Sequence, residues 1–146
     1  MLRVYVTLIM ILSGYFLNAQ GISDVKSDSK LFSSLSDKFQ IGSFNLDVIF
    51  DRNTGDTVLI YFRAMPVMAG VITDKIPRRG KDISINIKLL NFSNALLSIT
   101  KTFDSYNKAI YQGLIIHPNY DDAFLVKSNL GVIELEKRQV DKILLE

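Results

Sequence analysis

Ile83, Ile85, Ile87 and Leu89 alternate with Ser84, Asn86 and Lys88. On a helix, residues of one face recur every three to four positions, so an apolar period of two belongs to a strand with one face buried and the other wet. The same texture recurs along the chain between clusters of Gly, Pro, Asn and Asp, at the 8–12 residue spacing of antiparallel sandwiches and barrels. The expected fold is mainly β: an antiparallel β-sandwich or small barrel of about eight strands, with a short N-terminal amphipathic helix and a short C-terminal helix.

Phe44, Leu46, Val48 and Phe50 alternate with Asn45, Asp47, Ile49 and Asp51, which predicts a strand. The turn cluster Arg52-Asn53-Thr54-Gly55-Asp56 and the β-branched and aromatic run Thr57–Ala64 complete a hairpin with it, ended by Pro66. Val67–Ile72 predicts a further short strand and Pro77–Lys81 a turn. In Asp82–Phe92 the apolar phase slips by one residue at Leu90 and Phe92, as a β-bulge would make it do. Leu96–Phe103, Ile110–Ile116, Ala123–Lys127 and Val132–Glu136 predict the remaining strands, with Lys101 interrupting the apolar face of the first. Leu31, Phe32, Leu35 and Phe39, behind a possible N-cap at Asp28, predict a helix within Ile22–Gln40; Val140, Ile143 and Leu144 predict a terminal one.

The chain begins with a cationic Arg3 and then runs from Val4 to Leu17 without a charge. That run is shorter than the roughly 20 residues of a membrane-crossing helix, and Asn18, Ala19 and Gln20 supply small and polar residues after it. The expectation is a cleavable secretory signal over residues 1–19 and a single β-rich domain over 20–146. Contact with a membrane is expected only through this segment, if it stays uncleaved. Its ending, Asn18-Ala19-Gln20, resembles the leaders of exported bacterial proteins, which implies a periplasmic or extracellular location. No Cys follows the apolar run, so a lipoprotein anchor is excluded.

Counts of single residue types exclude much chemistry. With no Cys, the chain has no disulfide, thiolate nucleophile, iron–sulfur cluster or Cys-containing zinc site of its own. With one His, it cannot build a multi-imidazole zinc site, a two-His-one-carboxylate iron triad or a His-Glu-x-x-His helix. The glycines form neither a Walker loop nor a dinucleotide fingerprint, and no cofactor is expected. The net charge of +2 gives no basic footprint for nucleic acid. The mature chain, without Arg3, is nearly neutral.

Three groups of residues remain as candidate sites. His117 lies beside Asp121 and Asp122, a set that suits a hydrolytic dyad or triad, but no Gly-x-Ser-x-Gly elbow accompanies it, and His117-Pro118-Asn119 also reads as an ordinary turn. Asn119 with the two Asp residues offers oxygen ligands without the spacing of a calcium loop, so no metal site is assigned. Arg78, Arg79 and Lys81 form the densest basic cluster, able to grip an anion or to keep a hairpin tip soluble. Tyr106, Tyr111 and Tyr120 surround Ile110–Ile116 and are candidates to rim an apolar ligand pocket. The preferred expectation is a non-catalytic exported domain that binds a partner protein, an envelope component or an apolar ligand through a sheet face or barrel mouth. The alternative is a small envelope hydrolase using His117 and a nearby Asp. The run Thr57–Ala64, apolar on both faces, also leaves room for an oligomer interface.

Overall fold

Residues 29–63, 66–129 and 132–143 are described by a computed structural model. The expected signal segment, Asp28 and the first part of the expected N-terminal helix lie outside them. The period-two face of Ile85, Ile87 and Leu89 is fully buried in a strand, Ile83–Leu89, which is β4 of the fold. Seven more strands precede and follow it: β1 (Lys38–Ile41), β2 (Thr57–Ile60), β3 (Met68–Pro77), β5 (Ala95–Phe103), β6 (Ala109–Ile116), β7 (Asp122–Asn129) and β8 (Val132–Gln139). Two short helices, α1 (Ser43–Phe50) and α2 (Val140–Ile143), complete the described elements.

All eight strands join one antiparallel sheet in the order β1-β8-β7-β6-β5-β4-β3-β2, curled into a half-barrel. From β2 to β8 each strand pairs with the next in sequence; β1 then adds to the far side of β8, with Phe39 opposite Leu135 and Ile41 opposite Ile133. Among the described residues, the first and second strands, β1 and β2, are therefore the two edges of the sheet. The short stretch from α1 to β2 connects them across the open side.

Close approach of neighbouring strands is built into the curl. A Cβ on Gly113 of β6 would collide with the Ser98 carbonyl and the Ile99 backbone of β5, and one on Gly70 of β3 with Ile87 and the Lys88 carbonyl of β4. An extra residue, Thr73, interrupts the pairing of β3 with β4 between Ile72 and Asp74, adding local bend. The bulge thus lies on β3; the phase slip at Leu90 marks the end of β4 and the start of a turn.

The expected hairpin of residues 44–50 with Thr57–Ala64 does not form. Residues 43–50 are helical, because Leu46, Ile49 and Phe50, spaced i, i+3, i+4, all enter the core while Val48 stays 39% exposed. A run with apolar residues at 46, 48, 49 and 50 satisfies either period, and the concave side of the sheet selects the helix. β2 pairs with β3 instead and stops at Ile60. Within the expected N-terminal helix, Leu31–Ser34 form a turn and Phe39 belongs to β1; Phe32 and Phe39 both pack on Phe124, at ring centroid distances of 5.0 and 5.7 Å.

Candidate functional site

The two edges of the sheet differ in how they are guarded. On β1, Lys38 pairs with Glu136 at 3.8 Å and Gln40 Nε2 donates to Glu134 at 3.3 Å, so the edge is lined with charge. The chain also crosses over it: the Arg63 amide donates to the Gln40 carbonyl at 3.2 Å. Among the described residues the edge of β2 carries no such charged pairs, although the Asn45 side chain of α1 donates to the Tyr61 carbonyl, at 3.4 Å, just beyond its end. Its Asp56 carbonyl accepts from the Ile72 amide at 3.0 Å, so Val58 and Ile60, opposite Gly70 and Met68, are the residues whose backbone bonds to β3. The alternate residues Thr57 and Leu59 direct their N–H and C=O away from the sheet. Leu59 is 50% and Tyr61 51% exposed.

Helix α1 stands beside this edge and makes it one wall of a groove. Val48, Ile49 and Arg52 on the helix side face Thr57, Leu59 and Tyr61 on the strand side, enclosing about 400 Å³. Past Tyr61 the depression continues to Arg63 and Val132. Its two ends therefore carry guanidinium groups, and neither Arg52 nor Arg63 forms an ion pair among the described residues. Beneath α1 the interior is filled: the void lined by Leu46, Ile60, Phe62, Ile99 and their neighbours amounts to about 10 Å³, far below the several hundred a small ligand occupies.

A polar cluster holds α1 in place. Lys101 and Tyr111 are paired across β5 and β6, and both donate to one oxygen of Asp47 on α1, the lysine at 2.5 Å. The Lys101 ammonium also lies 5.6–5.9 Å from the ring centres of Phe103, Tyr111 and Phe50, within cation–π range. Burial would raise the Asp47 carboxyl, but the hydrogen bonds from Lys101 and Tyr111 and the charge of Lys101 outweigh it and hold the group below the usual carboxylate range. Burial, and then the hydrogen bond to Asp47 and its negative charge, push the Tyr111 phenol far above the ordinary tyrosine range. All three groups are satisfied by one another, and Tyr111 is 1% exposed. Their arrangement ties the helix to the middle of the sheet.

The residues singled out in the sequence are dispersed over the molecule. In the loop between β6 and β7, His117 Nδ1 accepts from the Asn119 amide at 3.1 Å and Nε2 lies 3.0 Å from the Ser93 carbonyl, while its ring packs edge-on against Tyr120. Both nitrogens thus serve backbone groups. The two Asp122 oxygens accept the Leu31 and Phe32 amides at 2.7 and 2.8 Å, and Asp122 is 3% exposed. The backbone of Asp121 bridges Ser29 and Val140. No hydrogen bond joins His117 to Asp121 or Asp122 among the described residues.

The basic cluster occupies the turn between β3 and β4. Arg78 Nε donates to Ser84 at 3.0 Å, Lys81 Nζ to Asn107 at 3.3 Å, and Arg79 is exposed. The three tyrosines do not share a pocket. Tyr106 projects from the β5–β6 turn at 90% exposure, Tyr111 is in the core, and Tyr120 packs on His117. Among the described residues, no group of three or more His, Asp or Glu side chains could hold a metal ion.

Asp47 escaped the reading of the sequence because the strand expected over 44–50 sent it to solvent; Arg52 lies in the turn expected of it, but its place beside β2 depends on the helix before it. Lys101 could have been found: a lysine breaking the apolar face of β5 requires a buried partner. Comparison of the chain with protein-family models, with curated proteins and with solved structures gives no match.

Proposed function

We propose that the chain is an exported, non-catalytic binding domain, active in the periplasm or outside the cell, whose partner is a protein or envelope component. The observation that carries this reading is the edge of β2, unpaired among the described residues, where Leu59 and Tyr61 are half exposed beside Val48 on α1. An edge of this kind invites another chain unless it is blunted; its shortness and the neighbouring α1 restrict this one, while the outward backbone groups of Thr57 and Leu59 meet no partner among the described residues. The filled interior favours a partner on the outside of the half-barrel over an apolar ligand within it. The leader-like residues 1–19 support export.

A hydrolase centred on His117 finds less support, since the ring nitrogens and the Asp122 oxygens are engaged by backbone groups. The test is a screen of the purified protein against generic esterase, glycosidase and peptidase substrates, alongside His117→Ala. The expected result is no turnover above the blank; turnover abolished by the substitution would overturn the proposal. Export is checked by expression in a bacterial host, where the extracytoplasmic fraction should hold a chain beginning at Gln20.

A further inference from the structure

We infer that the groove between α1 and the free edge of β2 takes an extended segment of a partner protein, added to the sheet as a further strand, with apolar side chains at alternate positions and acidic groups near both ends. This rests on the reading of the chain as a binding domain and names the chemistry of what is bound. The outward N–H and C=O groups of Thr57 and Leu59 are matched best by a backbone in the β conformation, and the four residues of β2 span about 13 Å, enough to pair with a segment of about four residues.

The side walls set the rest. Val48 on one side, Leu59 and Tyr61 on the other, give alternate side chains of a bound strand apolar surface to cover. Arg52 at one end and Arg63 at the other select carboxylates there. The same charges argue against a second copy of this chain as occupant. An antiparallel pairing of two β2 edges brings the Arg52 end of one protomer to the Arg63 end of the other, like charge against like. The helix further restricts access to something no wider than a single strand.

Selection of random twelve-residue peptides displayed on phage against the purified full-length chain tests the inference. The expected result is enrichment of sequences that alternate apolar residues and carry Asp or Glu on both flanks. A synthetic, fluorescein-labelled peptide from the enriched set should shift the amide resonances of residues 57–61 and bind with an anisotropy change. Leu59→Pro removes an amide that β3 does not use, as edge strands tolerate, and should weaken binding at least tenfold. Should that variant lose its native circular dichroism, Leu59→Thr, which keeps β propensity, and the pair Arg52→Glu and Arg63→Glu take its place. The charge reversals should turn the preference from acidic to basic flanks.

Absence of any enriched peptide, or unchanged binding by these variants, overturns the inference. Peptides whose shifts map to the His117 loop or to β1 also overturn it while leaving a binding domain in place. A dimer in light scattering that Leu59→Pro dissociates assigns the edge to a second copy and overturns it as well. The binding-domain reading itself falls on a different result, the turnover sensitive to His117→Ala.

Discussion

Tyr111 on β6 and Asp47 on α1, 64 positions apart in the chain, are joined by a hydrogen bond in which the phenol donates and the carboxylate accepts. Since Lys101 of β5 donates to the same oxygen, one carboxylate ties the helix to the middle of the sheet. The position of α1, and with it one wall of the groove beside β2, depends on this junction as well as on the burial of Leu46, Ile49 and Phe50.

Removing the phenol hydroxyl in Tyr111→Phe should therefore lower stability by roughly 1 kcal/mol, below the range for a buried bond to a charged group, because the Asp47 side chain is 44% exposed and solvent screens it. Asp47→Ala should cost more, since it leaves Lys101, 19% exposed, among aromatic rings without its carboxylate. In a double-mutant cycle the two substitutions should couple by about 1 kcal/mol. Urea denaturation of the four proteins gives the cycle, and strict additivity would contradict the shared junction.

The same junction gives a pH dependence with a definite sign. Asp47 is held below its ordinary value of 3.8, so its contribution is present above the unfolded carboxyl range and is lost as the pH falls through its folded value. Tyr111 is raised above its ordinary 10.0, so its contribution is complete below that value and drains away as the pH rises from there toward the folded value. The Tyr111 ring carbon bonded to oxygen should keep its neutral chemical shift through the ordinary tyrosine range, and Asp47→Ala should bring its titration down. A Tyr111 signal that titrates near 10 in the native chain would contradict the assignment.

Gly113 is predicted to be intolerant of any side chain. A methyl group there meets the Ser98 carbonyl and the Ile99 backbone, which are fixed by the β5–β6 ladder and have no rotamer to give. Gly113→Ala should lower stability by about 1–3 kcal/mol, as overpacking does. Gly55→Ala is the control: its Cβ would meet nothing within 4 Å, but φ is +91°, and the loss should stay near 1 kcal/mol. Thermal denaturation of the two variants should rank them in that order.

How legible each element was depended on whether one period or two fitted its residues. The strand β4 carries an alternation that no helix can satisfy, β6 and β7 are short apolar runs marked off by turn clusters, and the expected positions of β4 to β8 match the structure to within three residues at their ends. Residues 44–50 carry both periods, and only the curled sheet, with its concave side to be covered, decides for a helix. The groove was illegible for the same reason: its walls are Val48 and Ile49 on α1 and Leu59 on β2, and the sequence places these on adjacent strands of a hairpin. Asp122 illustrates a further limit. An aspartate two turns of loop away from a histidine looks the same in sequence whether its carboxylate faces that ring or accepts two amides from a segment some 90 residues earlier.

That clamp supports the last prediction. The Leu31 and Phe32 amides have the Asp122 carboxylate as their partner, and the turn they begin seats Phe32, fully buried, against Phe124 and Phe92. Asp122→Ala leaves those amides in a site that water enters poorly, and a loss of roughly 2–4 kcal/mol follows from two unsatisfied donors. Hydrogen exchange at Leu31 and Phe32 should accelerate far more than at Ile85 in the centre of the sheet, showing local release of the segment before global unfolding. His117→Ala, by contrast, removes a ring that caps an exposed loop and should leave exchange at Leu31 and Phe32 unchanged. If instead both substitutions released the segment equally, His117 and Asp122 would be acting as one unit, and the separation of the two side chains described above would be wrong.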